Sequence, residues 1–272
     1  MILTQAEKAA RFHALHTEGK IFVIPNPWDA GSARMLAGLG FLALATSSSA
    51  AAGSMGRRDY AMNRAEALAG ARIVVEASNL PVSADLENGF GDEPAVVADT
   101  IRTAASIGLV GGSIEDARGD AQPYERMLAV ERVTAAVEEA RKLPYKFVVV
   151  ARAENFARGH PDLGDTITRL QAYEQAGADV LFAPGLPNLA AVREVCRSVT
   201  KPVNVVGTMQ NGAVSLAVLQ EAGVRRVSLA TGFYRAAMSG LFEAAREVRE
   251  HGTFGFAAQT MTPAELNKFM RD

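Results

Sequence analysis

Eight times along the chain a short apolar run is followed by a stretch with helical periodicity, and few architectures satisfy that rhythm. The runs fall at 21–24, 41–45, 81–84, 110–114, 146–151, 179–182, 203–206 and 227–230. The helical stretches fall at 30–39, 63–77, 94–107, 124–141, 164–176, 188–198, 213–221 and 233–249. Gly40, Gly108, Gly177 and Gly223 stand just past helices, where a left-handed cap suits glycine. Pro81 and Pro202 open strands, where a missing N–H is tolerated. Alternation of this kind predicts parallel strands joined by crossover helices. Eight units in 272 residues is the number that closes an α/β (β/α)8 TIM barrel. An open doubly wound sheet is the alternative, but it carries a glycine-rich fingerprint after its first strand. Here Asn26-Pro-Trp-Asp29 stands in that place. No linker divides the chain, so residues 1–272 are expected to form a single barrel domain, with 252–272 as an extra C-terminal helical segment. Thr262-Pro-Ala-Glu265 in that segment reads as a capping-box helix start.

Composition narrows the class of function. Lys and Arg number 28 against 30 Asp and Glu, a net charge of −2, so no positive field attracts nucleic acid. No P-loop or dinucleotide fingerprint points to a nucleotide. The single cysteine, Cys196, excludes an intramolecular disulfide and a thiolate zinc site. It is expected as a buried helix residue, and a cytoplasmic location is expected with it. The first residues lack the apolar core of a secretory signal, and no apolar stretch is long enough for a membrane span.

Barrel enzymes place their chemistry at the C-terminal ends of strands. Just past the second strand stand Ser47, Ser48 and Ser49, with Asp59 further along the same loop. Asp85 and Glu87 follow the third strand, Glu115 and Asp116 the fourth, Arg152 and Glu154 the fifth. Carboxylates converging on one opening repel unless a cation neutralises them. Mg2+ is the expected ion, with Mn2+ as the alternative, because both take oxygen ligands. Asp85 is expected as the direct ligand, with Asp59, Glu87 and Glu115 holding its waters. The structural alternative is that these acids cap helices or pair with Arg57, Arg58 and Arg152. The planar fork of Arg152 suits a substrate anion. The Ser47–Ser49 amides and hydroxyls suit a carboxylate or an enolate oxygen. Ser47, Arg152 and Glu115 are expected to act on the substrate, with Trp28 as an apolar wall. His13, His16 and His251 are expected at the surface, and His160 in the loop after the fifth strand. Gly207 and Gly232 are weak candidates for a phosphate site.

Several stretches resemble the isocitrate lyase/phosphoenolpyruvate mutase superfamily. They are Asn26-Pro-Trp-Asp-Ala-Gly-Ser-Ala-Arg34, Ala45-Thr-Ser-Ser48, Asp85-Leu-Glu-Asn-Gly-Phe-Gly91, Ile114-Glu-Asp116, Val150-Ala-Arg152 and Ala176-Gly-Ala-Asp-Val-Leu181, in order over most of the chain. The resemblance implies a barrel that binds Mg2+ and a small 2-oxo or 2-hydroxy acid, and makes or breaks a C–C or P–C bond through an enolate-like intermediate. It matches Asp59, Asp85, Glu87 and Glu115 to the metal-site acids, Ser47 to the oxo-acid cradle and Arg152 to the anion-binding arginine. Glu87 stands where many members carry Asp. The resemblance also implies a dimer or tetramer, often with the last barrel helix exchanged between subunits. The loop after the fourth strand departs from the lyases and mutases. Ala117-Arg-Gly-Asp-Ala-Gln-Pro123 holds no Cys, Lys or His, and leaves Arg118, Asp120 and Gln122 as polar groups. The expected activity is therefore a Mg2+-dependent lyase or decarboxylase of a small oxo or hydroxy acid. The alternatives are P–C bond chemistry on phosphonopyruvate, or a non-catalytic oxo-acid binder.

Overall fold

The computed structural model describes residues 2–119, 122–207 and 214–270. Asp120 of the fourth loop and residue 213 of the seventh predicted helix lie outside the described residues. The strands are β1 (Phe22–Ile24), β2 (Leu44–Ala45), β3 (Val82–Asp85), β4 (Gly111–Glu115), β5 (Val148–Arg152), β6 (Val180–Phe182), β7 (Val203–Val206) and β8 (Arg226–Ser228). The helices are α1 (Gln5–Thr17), α2 (Ala30–Gly38), α3 (Ser48–Ser54), α4 (Arg64–Ala77), α5 (Pro94–Ser106), α6 (Arg126–Arg141), α7 (Leu163–Gln175), α8 (Leu189–Ser198), α9 (Leu216–Glu221), α10 (Gly232–His251) and α11 (Pro263–Asn267).

All eight strands form one parallel sheet in the order β1-β8-β7-β6-β5-β4-β3-β2, so the predicted (β/α)8 fold is what the chain adopts. The β1–β8 ladder joins Phe22 to Arg226 and Ile24 to Ser228, which brings the sheet round on itself. Between β1 and β2 the described residues show no ladder; one backbone bond, Ala45 N to Pro25 O at 3.0 Å, spans the gap. The Asn26 side chain reinforces this seam. Its amide donates to Thr46 O across the seam at 3.0 Å, while its carbonyl accepts from Leu229 N at 2.9 Å on the β8 side.

Strand alternation builds two cores, because successive side chains point to opposite faces. On β5, Val149 and Ala151 join the outer layer against the helices, while Val148 and Val150 join the inner cluster. Each fully buried valine contributes about 1.5–3 kcal/mol. Helix α1 starts with a Thr4–Glu7 capping box and places Ala9 and Phe12 in the inner cluster, plugging the base of the barrel. This placement corrects the surface reading of His16, which is 3% exposed and stacks edge-on between Phe12 and Phe22. Its Nδ1 lies 2.8 Å from Phe12 O, and burial pushes its pKa down to about 3.

The small-residue run after β2 forms α3, with Ser47 as N-cap. Cys196 is half-buried in α8 rather than fully buried, and burial pushes its thiol up to about 11. Gly207 has a packing reason, since a Cβ there would meet Val227 Cγ1 at 2.9 Å. Helix α10 differs from the other helices of the barrel: none of its 20 residues is buried. Leu241 and Phe242 on it are 60% and 64% exposed. Beyond it, α11 starts at the predicted Thr262–Glu265 capping box. The segment then lays Phe269 on α2, where a Cβ at Gly38 would stand 2.6 Å from Phe269 Cδ1. Among the described residues no helix is long and apolar enough to cross a membrane.

Candidate active site

The C-terminal ends of the strands surround a cavity of about 250 Å3. Register sets what meets there. Asp85 pairs across with Ser113, and Glu115 with Arg152, so side chains of β3, β4 and β5 project into one mouth at neighbouring heights.

Asp85 is the centre of one group. Ser48 donates to Asp85 Oδ2 from its backbone N (3.1 Å) and its hydroxyl (3.0 Å). The same hydroxyl lies 3.1 Å from Asp59 Oδ1, so Ser48 links the two acids. The Ser47 hydroxyl accepts from Ala50 N at 3.3 Å, which fixes the first turn of α3 against Asp85. Asp59, at the exposed rim, is pushed above the usual carboxylate range by desolvation and by Asp85. Glu87 is buried with a left-handed backbone (φ 48°), and its Oε1 has no hydrogen-bond partner. Burial, then Asp85 and Asp59, push it up to about 8. These are repulsions that a cation would relieve.

A second group surrounds Arg152. Its Nη1 reaches Glu115 Oε1 at 2.9 Å and Asp85 Oδ1 at 3.1 Å, and its Nε reaches Glu154 Oε1 at 2.8 Å. Burial alone would lower its pKa, but Glu115, Glu154 and Asp85 hold it well above the usual value. Arg152 thus pairs with three acids, and its guanidinium lies 5.0 Å from the Phe182 ring. Glu115 is 1% exposed and is also paired with Arg158 Nη2 at 2.9 Å. Tyr60 lies left-handed (φ 60°) over this pair; its hydroxyl donates to Glu115 Oε2 at 3.1 Å and accepts from Arg158 Nη2. Burial raises Glu115 well above the usual range, with Arg152 opposing.

Asp116 supports the group from behind. It accepts from Tyr173 OH at 2.5 Å, from Arg169 Nη1 at 3.2 Å and from Glu154 N at 2.8 Å. Arg132, 1% exposed, holds the loop that carries Glu87. It donates to the carbonyls of Gly91 (2.6 Å), Asp92 and Asn88, with its guanidinium 4.4 Å from the Tyr124 ring.

The structure therefore brings together Ser47, Ser48, Ser49, Asp59, Asp85, Glu115 and Arg152 on one cavity, with Glu87 behind Asp85. Trp28 does not line that cavity. It stacks edge-on against Tyr234 at 5.4 Å and faces a side cleft behind Ser47 and Ser48. The structural alternative holds in part: Arg152 does pair with the acids, whereas Arg57 turns away to Glu66 at 2.8 Å. His160 stays in its loop, with its N–H on Asn155 O at 2.8 Å. Arg158 and Tyr60 were missed, since both sit well beyond a strand end. Asn204 and Arg226 were missed too, although strand alternation places them on the inner wall.

Comparison with known proteins adds to this geometry. The sequence profile of phosphoenolpyruvate phosphomutase matches residues 12–249. A crystal structure from Burkholderia cenocepacia J2315, provisionally described as a lyase/mutase, is 50% identical; the match covers 97% of this chain and 96% of that one, with a TM-score of 0.95. The 2-methylisocitrate lyase of Halalkalibacterium halodurans is 28% identical over 92% of this chain and 85% of its own. The oxaloacetate decarboxylase of Marinomonas sp. is 28% identical over 94% of this chain and 88% of its own.

Proposed function

The chain belongs to the phosphoenolpyruvate phosphomutase family, and from that premise we propose that it is a Mg2+-dependent lyase or decarboxylase that cleaves a C–C bond of a small 2-oxo or 2-hydroxy acid. The observation that carries this reading is the gathering of Asp59, Asp85 and Glu115 on one mouth, with the unpartnered Glu87 oxygen behind. Among the described residues no three His, Cys, Asp or Glu side chains stand close enough to ligate one ion together. Mg2+ does not require that, because it keeps several waters and takes only one or two carboxylates. Asp85 would hold it directly, and Asp59, Glu87 and Glu115 would hold its waters. When bound, the ion supplies positive charge for an enolate oxygen that forms as the bond breaks.

The chain's own groups do the rest. Ser47, Ser48 and Ser49 offer hydroxyls and amides to the carboxylate and oxo oxygens of the substrate. Arg152 and Arg158 keep the buried Glu115 charge compensated. The phenol of Tyr60, pushed up by burial and by Glu115, keeps its proton at neutral pH and remains a donor at the mouth. The loop at 117–123 carries no Cys, Lys or His. That favours a cleavage needing little acid–base help, such as loss of CO2, for which the Marinomonas decarboxylase is a precedent. We propose too that the chain is a homo-oligomer in which a second copy covers the apolar face of α10.

The test is product release from oxaloacetate, above the spontaneous and metal-only rates, with Mg2+ and then with EDTA. Methylisocitrate, 2,3-dimethylmalate and phosphonopyruvate complete the panel. Turnover of a carbon acid that EDTA stops and Asp85→Ala abolishes is the expected result. Turnover indifferent to EDTA, or phosphate released from phosphonopyruvate alone, refutes the reading.

A further inference from the structure

Below the acids, β7 and β8 bring a different group into the same cavity. Arg226 opens β8 and lies in register with Asn204 of β7 and Phe22 of β1. Alternation turns Arg226 and Ser228 inward, as it does Asn204 and Val206, and all four line the cavity. Arg226 is 5% exposed. Its Nε and Nη1 are buried without a hydrogen-bond partner, and it forms no ion pair among the described residues. Below it stands the plug helix, with the Phe12 ring 5.9 Å from the guanidinium and His16 near enough to feel its charge. Asn204 donates to Ser228 Oγ at 3.1 Å, and its own Oδ1 is likewise buried and unpartnered.

The contrast with Arg152 is one of charge. Arg152 meets three carboxylates, whereas Arg226 meets none. A buried guanidinium without an anion is strongly disfavoured. Burial, with the like charge of Arg152, pushes its pKa down only to about 9, so it stays charged at neutral pH. A cation kept unpaired on the wall of an open cavity is suited to an anion. The cavity, at about 250 Å3, lies near the lower end of the usual range of about 300–1,000 Å3 for ligand sites, which suits a short acid.

We propose that Arg226 seats the second carboxylate of the substrate at the floor of the cavity, and so makes the site selective for short dicarboxylates over monocarboxylates of equal length. The inference rests on the reading that the mouth of this cavity takes a small 2-oxo or 2-hydroxy acid. The acid is held at both ends: its oxo-acid end by Ser47–Ser49 and the acids at the mouth, its far carboxylate by the Arg226 fork.

The experiment is calorimetric titration of the full-length Mg2+-loaded protein with matched pairs: malate against 2-hydroxybutanoate, and 2-oxoglutarate against 2-oxopentanoate. Oxalate, too short to span the cavity, probes the mouth alone. The wild-type protein is expected to prefer at least one dicarboxylate about tenfold or more over its partner. Arg226→Met is expected to bring that pair within about twofold while leaving oxalate affinity unchanged. Arg226→Lys keeps the charge without the fork and is expected to retain part of the preference, a readout that stands if Arg226→Met does not fold. No preference in the wild type while oxalate binds, or a full preference surviving in Arg226→Met, overturns the proposal and leaves water as the partner of Arg226. A dicarboxylate preference without oxalate binding supports the Arg226 seat and counts against the reading of the mouth. No binding by any of these acids overturns both.

Discussion

Tyr173→Phe removes one oxygen atom from a fully buried ring and nothing else. The lost hydroxyl donates to Asp116 Oδ2 at 2.5 Å. Asp116 keeps Arg169 Nη1 at 3.2 Å and Glu154 N at 2.8 Å, so it is weakened but not orphaned. A hydrogen bond to an ionised group is worth about 1.5–3 kcal/mol, and the cavity left by one oxygen adds little, so a loss of about 2 kcal/mol is expected. For a chain near this size each kcal/mol moves the melting temperature by about 2–4 °C, which gives a drop of about 4–8 °C. The assay is thermal and urea unfolding of both proteins at one protein concentration, since subunit association would shift the midpoint. Asp116→Asn should cost more, because it weakens all three contacts at once. The double variant should then fall short of the sum of the singles, since they break the same bond. A loss under about 0.5 kcal/mol, or strict additivity, would show that this bond does not hold the floor beneath Glu154.

Two further outcomes follow from the site and the surface. In metal-free protein Glu87, raised to about 8, keeps its proton when folded and loses it when unfolded above its ordinary value of 4.5, so its contribution to stability is full below 4.5 and is lost as pH rises through 8. Glu87→Gln should therefore raise the melting temperature in EDTA more at alkaline pH than at pH 5, and equal gains would contradict the assignment. Phe242→Glu, placed on the exposed face of α10, should lower the sedimentation coefficient from oligomer towards monomer; a wild-type protein that already sediments as a monomer would refute the covered-face reading.

The barrel could be read from the chain because its cause is repeated: each strand–helix unit carries its own period, and four of the eight carry a glycine stop. The same logic located Asp85, Glu115 and Arg152, since a parallel barrel presents its strand ends on one side. Spacing could not show how those groups pair. Arg152 read as a free fork for a substrate anion, yet three carboxylates meet it. Tyr60 and Arg158 depend on loop paths that no periodicity specifies. Arg226 and Asn204 were within reach, because each stands at an inward position of an alternating strand. His16 looked like surface because its helix precedes the first strand; the clue was Phe12 four residues earlier on the same helical face. Helix α10 has the periodicity of a packed helix, but among the described residues nothing covers Leu241 and Phe242 on it.

The β1–β2 seam has a mechanical consequence. Seven junctions of the ring are laddered, while the eighth hangs on Ala45 N to Pro25 O and on the Asn26 amide to Thr46 O. The compliance of the barrel is therefore concentrated at one joint, and that joint adjoins the Ser47 turn. A ligand that draws this turn inward works against one main-chain bond and one amide side chain, while the ladders under Asp85, Glu115 and Arg152 keep their registers. The barrel can give on the side that grips and stay stiff on the side that carries the buried charge.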